Sequence, residues 1–235
     1  MCGRYVSPSD AEIERFWHIG RHNYAPFGPL YNVSPTALIP TLRRGDTGGL
    51  DLVMTRWGLI PFWWKDAKPP CNTFNARSEE AATKPMWRDP ASKARCLVPA
   101  LGWYEWDEVE RVDPATGEVK KAKRPHFMHL PDRRPFAFAG LMSRWTTESA
   151  TAEFTCAILT RDAVGPSAEI HTRMPIALPK DVESAWLDPA LTDAANAIEL
   201  ARERAVTEFV HHPVNPRVNH TRNEGAELIE PVHSA

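Results

Sequence analysis

Proline, which occurs 22 times in 235 residues, constrains the fold of this chain more than any other residue type. Proline has no backbone N–H and disrupts the interior of a helix, so this number argues for short elements joined by rigid turns and against a helical bundle. The stretches 38–43 and 50–60 are apolar with partial alternation, and a glycine-rich segment at 44–49 separates them. This pattern predicts a β-hairpin.

Strand-like segments recur along the rest of the chain. We predict strands at 95–106, 127–130, 136–145, 154–161, 174–178 and 206–210. Within the first of these, Pro99 and Gly102 indicate a bulge or an edge position. The very polar stretch 107–124 predicts a solvated hairpin arm, and the segment 219–223 near the end is predicted as a loop.

Helical patterns are fewer. Ser9 and Glu12 form a capping-box pattern ahead of Ile13, Phe16 and Trp17, which predicts a first helix. Two further helices are predicted at 181–187 and 193–205. Several adjacent strands with few intervening helices predict an α+β fold, with an antiparallel, barrel-like β core and peripheral helices. No repeat or long linker divides the sequence, so we expect a single domain spanning residues 1–235.

The charge balance does not point to a bulk nucleic-acid binder. The formal net charge is −2 and the isoelectric point is about 6.5, so any contact with a polyanion must use a local patch. The nine tryptophans are more than a core of this size usually needs. Trp63 and Trp64, in the proline-rich loop 61–70, either stack on bases or sugars or plug the end of the barrel.

The four cysteines predict reduced thiols in a cytosolic protein. Cys2, Cys71, Cys96 and Cys156 form no CxxC pair, and the histidines are not spaced for zinc, so we expect no metal and no cofactor. No apolar run reaches membrane-spanning length, and the start of the chain lacks the apolar segment of a signal peptide. We therefore expect no membrane partner.

Cys2 has chemistry that an internal cysteine lacks, although a cysteine next to an initiator methionine usually has no function. Methionine is normally trimmed ahead of a small residue, which leaves an amine and a thiol on Cys2. An α-amine has a pKa of about 7.7–8, against about 10.4 for lysine, so part of it is unprotonated at neutral pH. Such an amine condenses with an aldehyde to a Schiff base, and the thiol can then close a five-membered thiazolidine.

Three further segments carry polar side chains suited to a site, and each has a structural alternative. Asn75 and Arg77 offer an amide and a phosphate clamp, or simply a loop that caps a helix. Glu105 lies among aromatic residues, where burial raises a carboxyl pKa, or it is a salt-bridged residue on a sheet face. His171 is a titratable imidazole beside Arg173, although a lone histidine is more often structural.

Eight segments resemble, in the same order, the motifs of the SOS-response-associated peptidase family, whose domain is called SRAP. They extend over nearly the whole chain, and eight motifs in order are far more specific than one tetrapeptide. The segments are MCGR at the start, YNVSP at 31–35, WGL at 57–59, NARSE at 75–79, RCLVPALGWYEW at 95–106, AGL at 139–141, HTRMP at 171–175 and RNEGAELIEP at 222–231.

This resemblance implies a function. Members of the family shield abasic sites in single-stranded DNA by a thiazolidine cross-link, after removal of the N-terminal methionine. We therefore expect this chain to remove Met1, to sense abasic single-stranded DNA and to capture the ring-opened sugar aldehyde covalently. We also expect a cytoplasmic monomer that associates with the nucleoid after damage, without a metal or a cofactor.

The resemblance also implies residue roles. Cys2 matches the family's nucleophile, and Asn75 matches the residue that holds the N-terminal amine and the sugar. Glu105 matches the acid/base for ring opening, Schiff-base formation and reversal, and His171 matches the histidine beside the sugar hydroxyl. The resemblance implies two roles for the remaining residues. A path for the DNA phosphates is lined by Arg4, Arg77 and Arg173. An aromatic wedge near the lesion is formed by Trp63 and Trp64.

Three other functions compete with this one. An N-terminal-nucleophile amidohydrolase would also use an N-terminal cysteine near an asparagine, but it needs a pocket for a small amide. A cysteine peptidase acting on other proteins would release peptides from a general protein substrate. A non-covalent reader of modified bases would keep its affinity for DNA after Cys2→Ala and would form no covalent band.

Overall fold

The computed structural model describes residues 2–19, 24–69, 71–112, 116–146 and 152–232. The strands within these ranges are β1 (Tyr5–Ser7), β2 (Leu30–Val33), β3 (Leu38–Arg44), β4 (Leu50–Trp57), β5 (Asn75–Arg77), β6 (Arg95–Ala100), β7 (Gly102–Val112), β8 (Val119–His129), β9 (Phe136–Thr146), β10 (Ala152–Asp162), β11 (Arg173–Pro175), β12 (Ala177–Leu178) and β13 (Val210–Pro213). The helices are α1 (Asp10–Trp17), α2 (Ser78–Ala81), α3 (Arg88–Lys93), α4 (Ser167–Ile170), α5 (Lys180–Trp186) and α6 (Ala194–Glu203), with short 3₁₀ turns at Pro216–Asn219 and Ala226–Ile229.

Five strands close into a barrel. Their order is β10-β4-β3-β6-β9, and β9 pairs back with β10 to complete the ring. All of these pairs are antiparallel except β4 with β10, which is parallel. The expected α+β fold with an antiparallel, barrel-like core is therefore confirmed, with this one parallel pair as an exception, and helices accompany the barrel.

A second, five-stranded antiparallel sheet lies beside the barrel in the order β13-β8-β7-β1-β2. The chain passes from the barrel to this sheet between β6 and β7, where Leu101 interrupts the strand predicted at 95–106. Gly102 is required at this crossing, because a Cβ there would lie 2.4 Å from the Met128 carbonyl oxygen. The bulge or edge position expected at Gly102 is therefore the point at which the chain crosses from the barrel to the second sheet.

Pro99 fits into the barrel because β6 is fully paired on one side only. It lies opposite Ala137 in the β6–β9 ladder, whereas β6 meets β3 at a single pair, Leu42 with Leu97. A missing N–H at Pro99 therefore breaks no ladder on the β3 side. The pairing explains how a proline occupies a strand that is not at the edge of its sheet.

The polar arm is a long two-stranded ribbon, as predicted. β7 and β8 pair continuously from Trp103 with Met128 to Val112 with Val119. Val112 and Val119 near its end are more than half exposed, which agrees with a solvated arm. The tip at 113–115 lies outside the described residues.

The first helix forms as the capping box predicts. Ser9 Oγ accepts from the Glu12 backbone N–H, and the Glu12 carboxylate accepts from the Ser9 N–H. Ile13 and Trp17 on its buried face join the main hydrophobic cluster. The indole N–H of Trp17 donates to Glu183 of α5 at 2.9 Å, so α1 and α5 are tied together.

Two strand predictions need correction at their bounds. The last strand was expected at 206–210 but begins at Val210, because the Phe209 N–H turns back to the Thr207 carbonyl and Val206 makes only an isolated bridge to Ala177. The segment predicted at 174–178 divides at Ile176 into β11 and β12, which pair with different strands. Within the described ranges, no helix combines the length and apolarity needed to cross a membrane.

Candidate functional site

Cys2 and Asn75 meet although 73 positions separate them. Cys2 immediately precedes the region of β1, whose Tyr5 lies opposite Trp103 of β7, and Asn75 begins β5, which runs parallel to β10. The Asn75 side-chain N–H donates to the Cys2 carbonyl oxygen at 2.7 Å. The motifs MCGR and NARSE are therefore joined by a direct hydrogen bond.

The thiol of Cys2 is held in its neutral form. Cys2 is fully buried, and burial raises the pKa of its thiol well above the usual value. The nearby Glu105 carboxylate raises it further, while the positive amino terminus and the backbone N–H of Arg4 act in the opposite direction. A thiol in such surroundings is not a preformed thiolate, which is the form that ordinary catalytic cysteines use.

Glu105 has the acid–base properties expected of a catalytic carboxyl. It lies in β7 with 4% of its surface exposed, and burial raises its pKa from an ordinary value of 4.5 to about 7. The positive charge of the amino terminus acts against this rise. A carboxyl with a pKa near the working pH can both give and take a proton.

Asn75 is held by one end of its amide. Its N–H group is fixed by the Cys2 carbonyl, whereas its Oδ1 is buried and has no hydrogen-bond partner among the described residues. A buried acceptor without a partner is costly, and such groups in native structures call for an explanation. Here the amide oxygen is suited to accept a hydrogen bond from an amine or a hydroxyl of a bound molecule.

The imidazole ring of His171 is oriented by a backbone N–H two residues along the chain. It caps the end of α4, and its Nδ1 accepts from the Arg173 backbone N–H at 2.9 Å. This bond places the ring proton on Nε2, so a neutral His171 is a donor at Nε2. Burial lowers the pKa of His171, which favours that neutral form.

The three arginines expected on a phosphate path differ in their surroundings. Arg4 donates to Asn32 Oδ1 and to the Val218 carbonyl, each at 2.7 Å. Arg173 is ion-paired with Glu79 at 2.9 Å and with Asp162 at 2.6 Å. Arg77, at the end of β5, is exposed. The structure therefore leaves Arg77 as the most accessible cation of the three.

The tryptophan loop lies at the surface. Trp63 is 47% exposed, and its ring meets Trp64 edge to face at 5.8 Å, so Trp63 does not plug the barrel. The Trp64 carbonyl accepts from the Trp145 indole N–H at 2.7 Å, which attaches the loop to β9. No hydrogen bond or ring contact joins either tryptophan to Cys2 among the described residues.

A groove of about 320 Å³ lies between this loop and the strand that carries Asn75. It is lined by Phe74, immediately before Asn75, and by Lys68, whose carbonyl accepts from the Trp64 indole. Arg56 also lines it. The groove therefore has basic and aromatic walls and reaches Phe74, the residue before Asn75.

Sequence reasoning missed two residues around the site, Asn32 and His126. Asn32 is buried, and its side-chain N–H groups donate to the carbonyls of His220 and Asn223, so it fixes the C-terminal segment beside Arg4. The sequence signal that pointed to Asn32 was its position in the YNVSP motif at 31–35. His126 lies directly opposite Glu105 in the β7–β8 ladder, which no local pattern reveals.

The described residues contain no group of three or more histidine, cysteine or acidic side chains arranged to hold a metal ion. The arrangement instead brings together a cysteine, an amide and a carboxyl that can exchange protons near neutral pH. Such a set is suited to condensation at a carbonyl carbon, in which an amine or thiol attacks and a hydroxyl leaves as water.

Comparison with known proteins places this geometry in a family. The family model described as SOS response associated peptidase (SRAP) matches residues 1–221. Abasic site processing protein YoqW of Bacillus subtilis (strain 168) is 36% identical over 235 residues, with 98% of this chain and 99% of that protein covered. Abasic site processing protein YedK of Escherichia coli (strain K12) is 31% identical over 240 residues, with 99% and 100% covered.

Solved structures share the fold. A protein from Bacteroides thetaiotaomicron superposes with a TM-score of 0.78 at 22% identity, covering 99% of this chain and 100% of that one. A phage-related protein from Bordetella bronchiseptica has a TM-score of 0.67 at 32% identity, with 91% and 94% covered. Since the family model spans most of the chain and close relatives match nearly end to end, the chain belongs to the SOS response associated peptidase (SRAP) family.

Proposed function

We propose that this protein senses abasic sites in single-stranded DNA and shields them through a covalent thiazolidine between Cys2 and the ring-opened sugar aldehyde, after Met1 has been removed. One observation carries the proposal: the Asn75 amide is bonded to the Cys2 carbonyl while the carboxyl of Glu105, with a pKa of about 7, acts on the Cys2 thiol. The names of the relatives, which are abasic site processing proteins, support the choice of substrate.

The first chemical step uses the amine. The free α-amine of Cys2 adds to the aldehyde carbon, and the resulting carbinolamine loses its hydroxyl as water to give an imine. The departing hydroxyl needs a proton, which the protonated Glu105 carboxyl can supply. The Asn75 Oδ1, which has no hydrogen-bond partner among the described residues, is suited to hold the amine that attacks.

The second step uses the thiol. The Cys2 sulfur adds to the imine carbon, its proton passes by way of the Glu105 carboxylate to the imine nitrogen, and a five-membered ring closes. The whole reaction joins one aldehyde and one aminothiol and releases one water. Because burial raises the pKa of the thiol, its proton must be removed during the attack, which gives Glu105 a part in both steps.

The raised pKa of Cys2 also weighs against the amidohydrolase and peptidase alternatives. Those enzymes attack with a thiolate, whose formation is favoured by a nearby positive charge such as an imidazolium. Here burial and the Glu105 carboxyl raise the pKa of the thiol more than the positive amino terminus lowers it, and His171 accepts the Arg173 N–H through Nδ1. The aminothiol mechanism needs no preformed thiolate.

For the DNA, the accessible Arg77 and the basic groove beside Phe74 offer a short path for phosphates, with Trp63 available for stacking. An abasic nucleotide has no base to unstack, so bringing its sugar to Cys2 costs less than flipping an intact nucleotide. The net charge of −2 limits affinity for intact DNA, and selectivity then comes from the reaction.

The proposal is tested by incubating the protein with single-stranded oligonucleotides and separating the products on a denaturing gel. We expect a covalent band with a natural abasic site and none with a tetrahydrofuran analogue, which has the same shape but no aldehyde. The intact mass should equal protein without Met1 plus oligonucleotide minus one water. Binding without a covalent band would favour a non-covalent reader, and peptide release from a general protein substrate would favour a peptidase.

A further inference from the structure

Two histidines on neighbouring strands meet ring to ring beside Glu105. The Nδ1 atoms of His126 in β8 and His211 in β13 lie 3.2 Å apart, with ring centroids at 5.1 Å. His126 is paired with Glu105 across the β7–β8 ladder, and residues opposed in an antiparallel pair have side chains on the same face, with Cβ atoms about 4.5–5.5 Å apart. We call His126 and His211 the histidine pair.

A carboxylate faces the outer nitrogen of each ring. His126 Nε2 lies 3.4 Å from Asp107 Oδ1, and His211 Nε2 lies 3.6 Å from Glu169 Oε2, which are ion-pair separations. Asp107 is itself held by two contacts from the Arg124 guanidinium. The order across the sheet is therefore carboxylate, imidazole, imidazole, carboxylate.

This order bears on the number of protons that the histidine pair can hold. The central contact needs one N–H and one lone pair, because two N–H groups repel and two lone pairs make no bond. Each outer Nε2 faces a negative charge, which favours an N–H there, although the 3.4 Å contact of the buried His126 Nε2 is an ion-pair separation and not a hydrogen bond. With an N–H at both outer nitrogens and one at the centre, three protons on four ring nitrogens give one positive charge shared by two rings.

The surroundings of His126 disfavour a charge on its own ring. Burial lowers the pKa of His126, whose side chain is 5% exposed, although Asp107 opposes that effect. The side chain of His211 is 19% exposed and reaches solvent. The charged groups that face the pair from the neighbouring elements are Glu105 and Asp107 of β7, Arg124 of β8 and Glu169 of α4.

We propose that the histidine pair holds one positive charge beside Glu105, and that this charge keeps the Glu105 carboxyl partly ionised at neutral pH. His126 and His211 are then positioning residues, because they act through Glu105. A carboxyl that is partly ionised can accept the thiol proton as well as donate to a leaving hydroxyl. The effect of the histidine pair on Glu105 during the reaction rests on the proposed function. The charge of the pair is a property of the protein without DNA.

The charge is measured directly by long-range ¹H–¹⁵N NMR of the histidine rings in the DNA-free protein between pH 5 and pH 9. At pH 7 we expect N–H signals at both Nε2 atoms and one proton shared between the Nδ1 atoms. Two neutral rings at pH 7 would overturn the proposal. This result does not depend on any reaction with DNA, so it stands or fails separately from the proposed function.

The effect on Glu105 is measured with His211→Phe, which keeps an aromatic ring and removes the charge. We expect the titration midpoint of the Glu105 carboxyl, followed by ¹³C NMR and assigned with Glu105→Gln, to rise by about one pH unit. The pH at which cross-linking is fastest should rise with it. An unchanged midpoint in His211→Phe would refute the coupling, whatever the cross-linking rate.

The neighbouring histidine supplies a matched control. His212 follows His211 on β13, but its Nε2 contacts the Ile229 carbonyl at 2.8 Å and its ring meets His129 instead of His126. His212→Gln keeps a donor at this position and should leave the Glu105 midpoint where it is. If His211→Phe does not fold, His211→Asn is the second variant, because it places a neutral amide at the central contact. It must give the same upward shift of the Glu105 titration midpoint.

Discussion

Glu105→Gln should make the protein more stable at alkaline pH. Glutamine has the size of the carboxylic acid but cannot ionise, so the variant is a reference that lacks only the titration. Burial raises the pKa of Glu105 from 4.5 to about 7, which is about 2.5 pH units. At about 1.36 kcal/mol per unit, ionising Glu105 in the folded protein costs about 3 kcal/mol more than in the unfolded chain.

The sign of the effect follows from the direction of the shift. Because the folded-state pKa is above the unfolded one, the stability contributed by the neutral carboxyl is fully present below about pH 4.5 and is lost as pH rises through about 7. Between pH 4.5 and pH 8, the free energy of unfolding of the wild type should therefore fall by about 3 kcal/mol relative to the variant. Other carboxyls titrate equally in both proteins and cancel.

Urea denaturation at pH 4.5, 6, 7 and 8 measures this difference, with the midpoint and the slope fitted at each pH. Glu108→Gln is the control, since Glu108 lies in the same strand with a side chain 58% exposed. Its difference from the wild type should show no rise of this size towards alkaline pH. A gap between wild type and Glu105→Gln that stays constant over this range would refute the buried, raised-pKa carboxyl.

Three further predictions concern the reaction. Glu105→Gln should slow formation and reversal of the cross-link by about 10²–10⁴ in single-turnover gels without abolishing the adduct, and a wild-type rate would make the carboxyl structural. Cys2→Ala should leave at most a Schiff base that borohydride traps, whereas a residue retained ahead of Cys2, verified by mass, should abolish cross-linking; normal activity of the extended protein would exclude the aminothiol mechanism. Arg77→Ala should reduce the salt dependence of binding to single-stranded DNA by about one phosphate contact, and an unchanged slope in a fluorescence titration would remove Arg77 from the path.

The fold was predictable where local chemistry decides it. The capping box at Ser9 and the glycine-rich hairpin at 44–49 act within a few residues, and both formed where expected. The strand at 95–106 was located correctly, but its division was not, because the break at Leu101 depends on the approach of Met128 to Gly102 from another strand. The last strand was misplaced for a similar reason, since its start is set by pairing with β8.

The site divides in the same way. Cys2, Asn75 and Glu105 were candidates from residue type and family motifs, and the structure brings their elements together; their roles stay predictions. The partners of Arg173 were not identifiable, since Glu79 and Asp162 come from different elements, 94 and 11 positions away. The histidine pair was also invisible, because its two members lie 85 positions apart and meet only through the order of the strands.

The state of the arginines determines where selectivity must arise. Arg173 is ion-paired with two carboxylates, and Arg4 is bonded to an amide and a carbonyl inside the protein, so moving either to a phosphate requires giving up existing contacts. Arg77 is exposed and can meet a phosphate without such a loss, but one contact gives little affinity. Under the proposed function, this low affinity would let the protein dissociate quickly from intact DNA. The lifetime on an abasic site would then be set by the thiazolidine ring, whose opening again needs the proton exchange of Glu105.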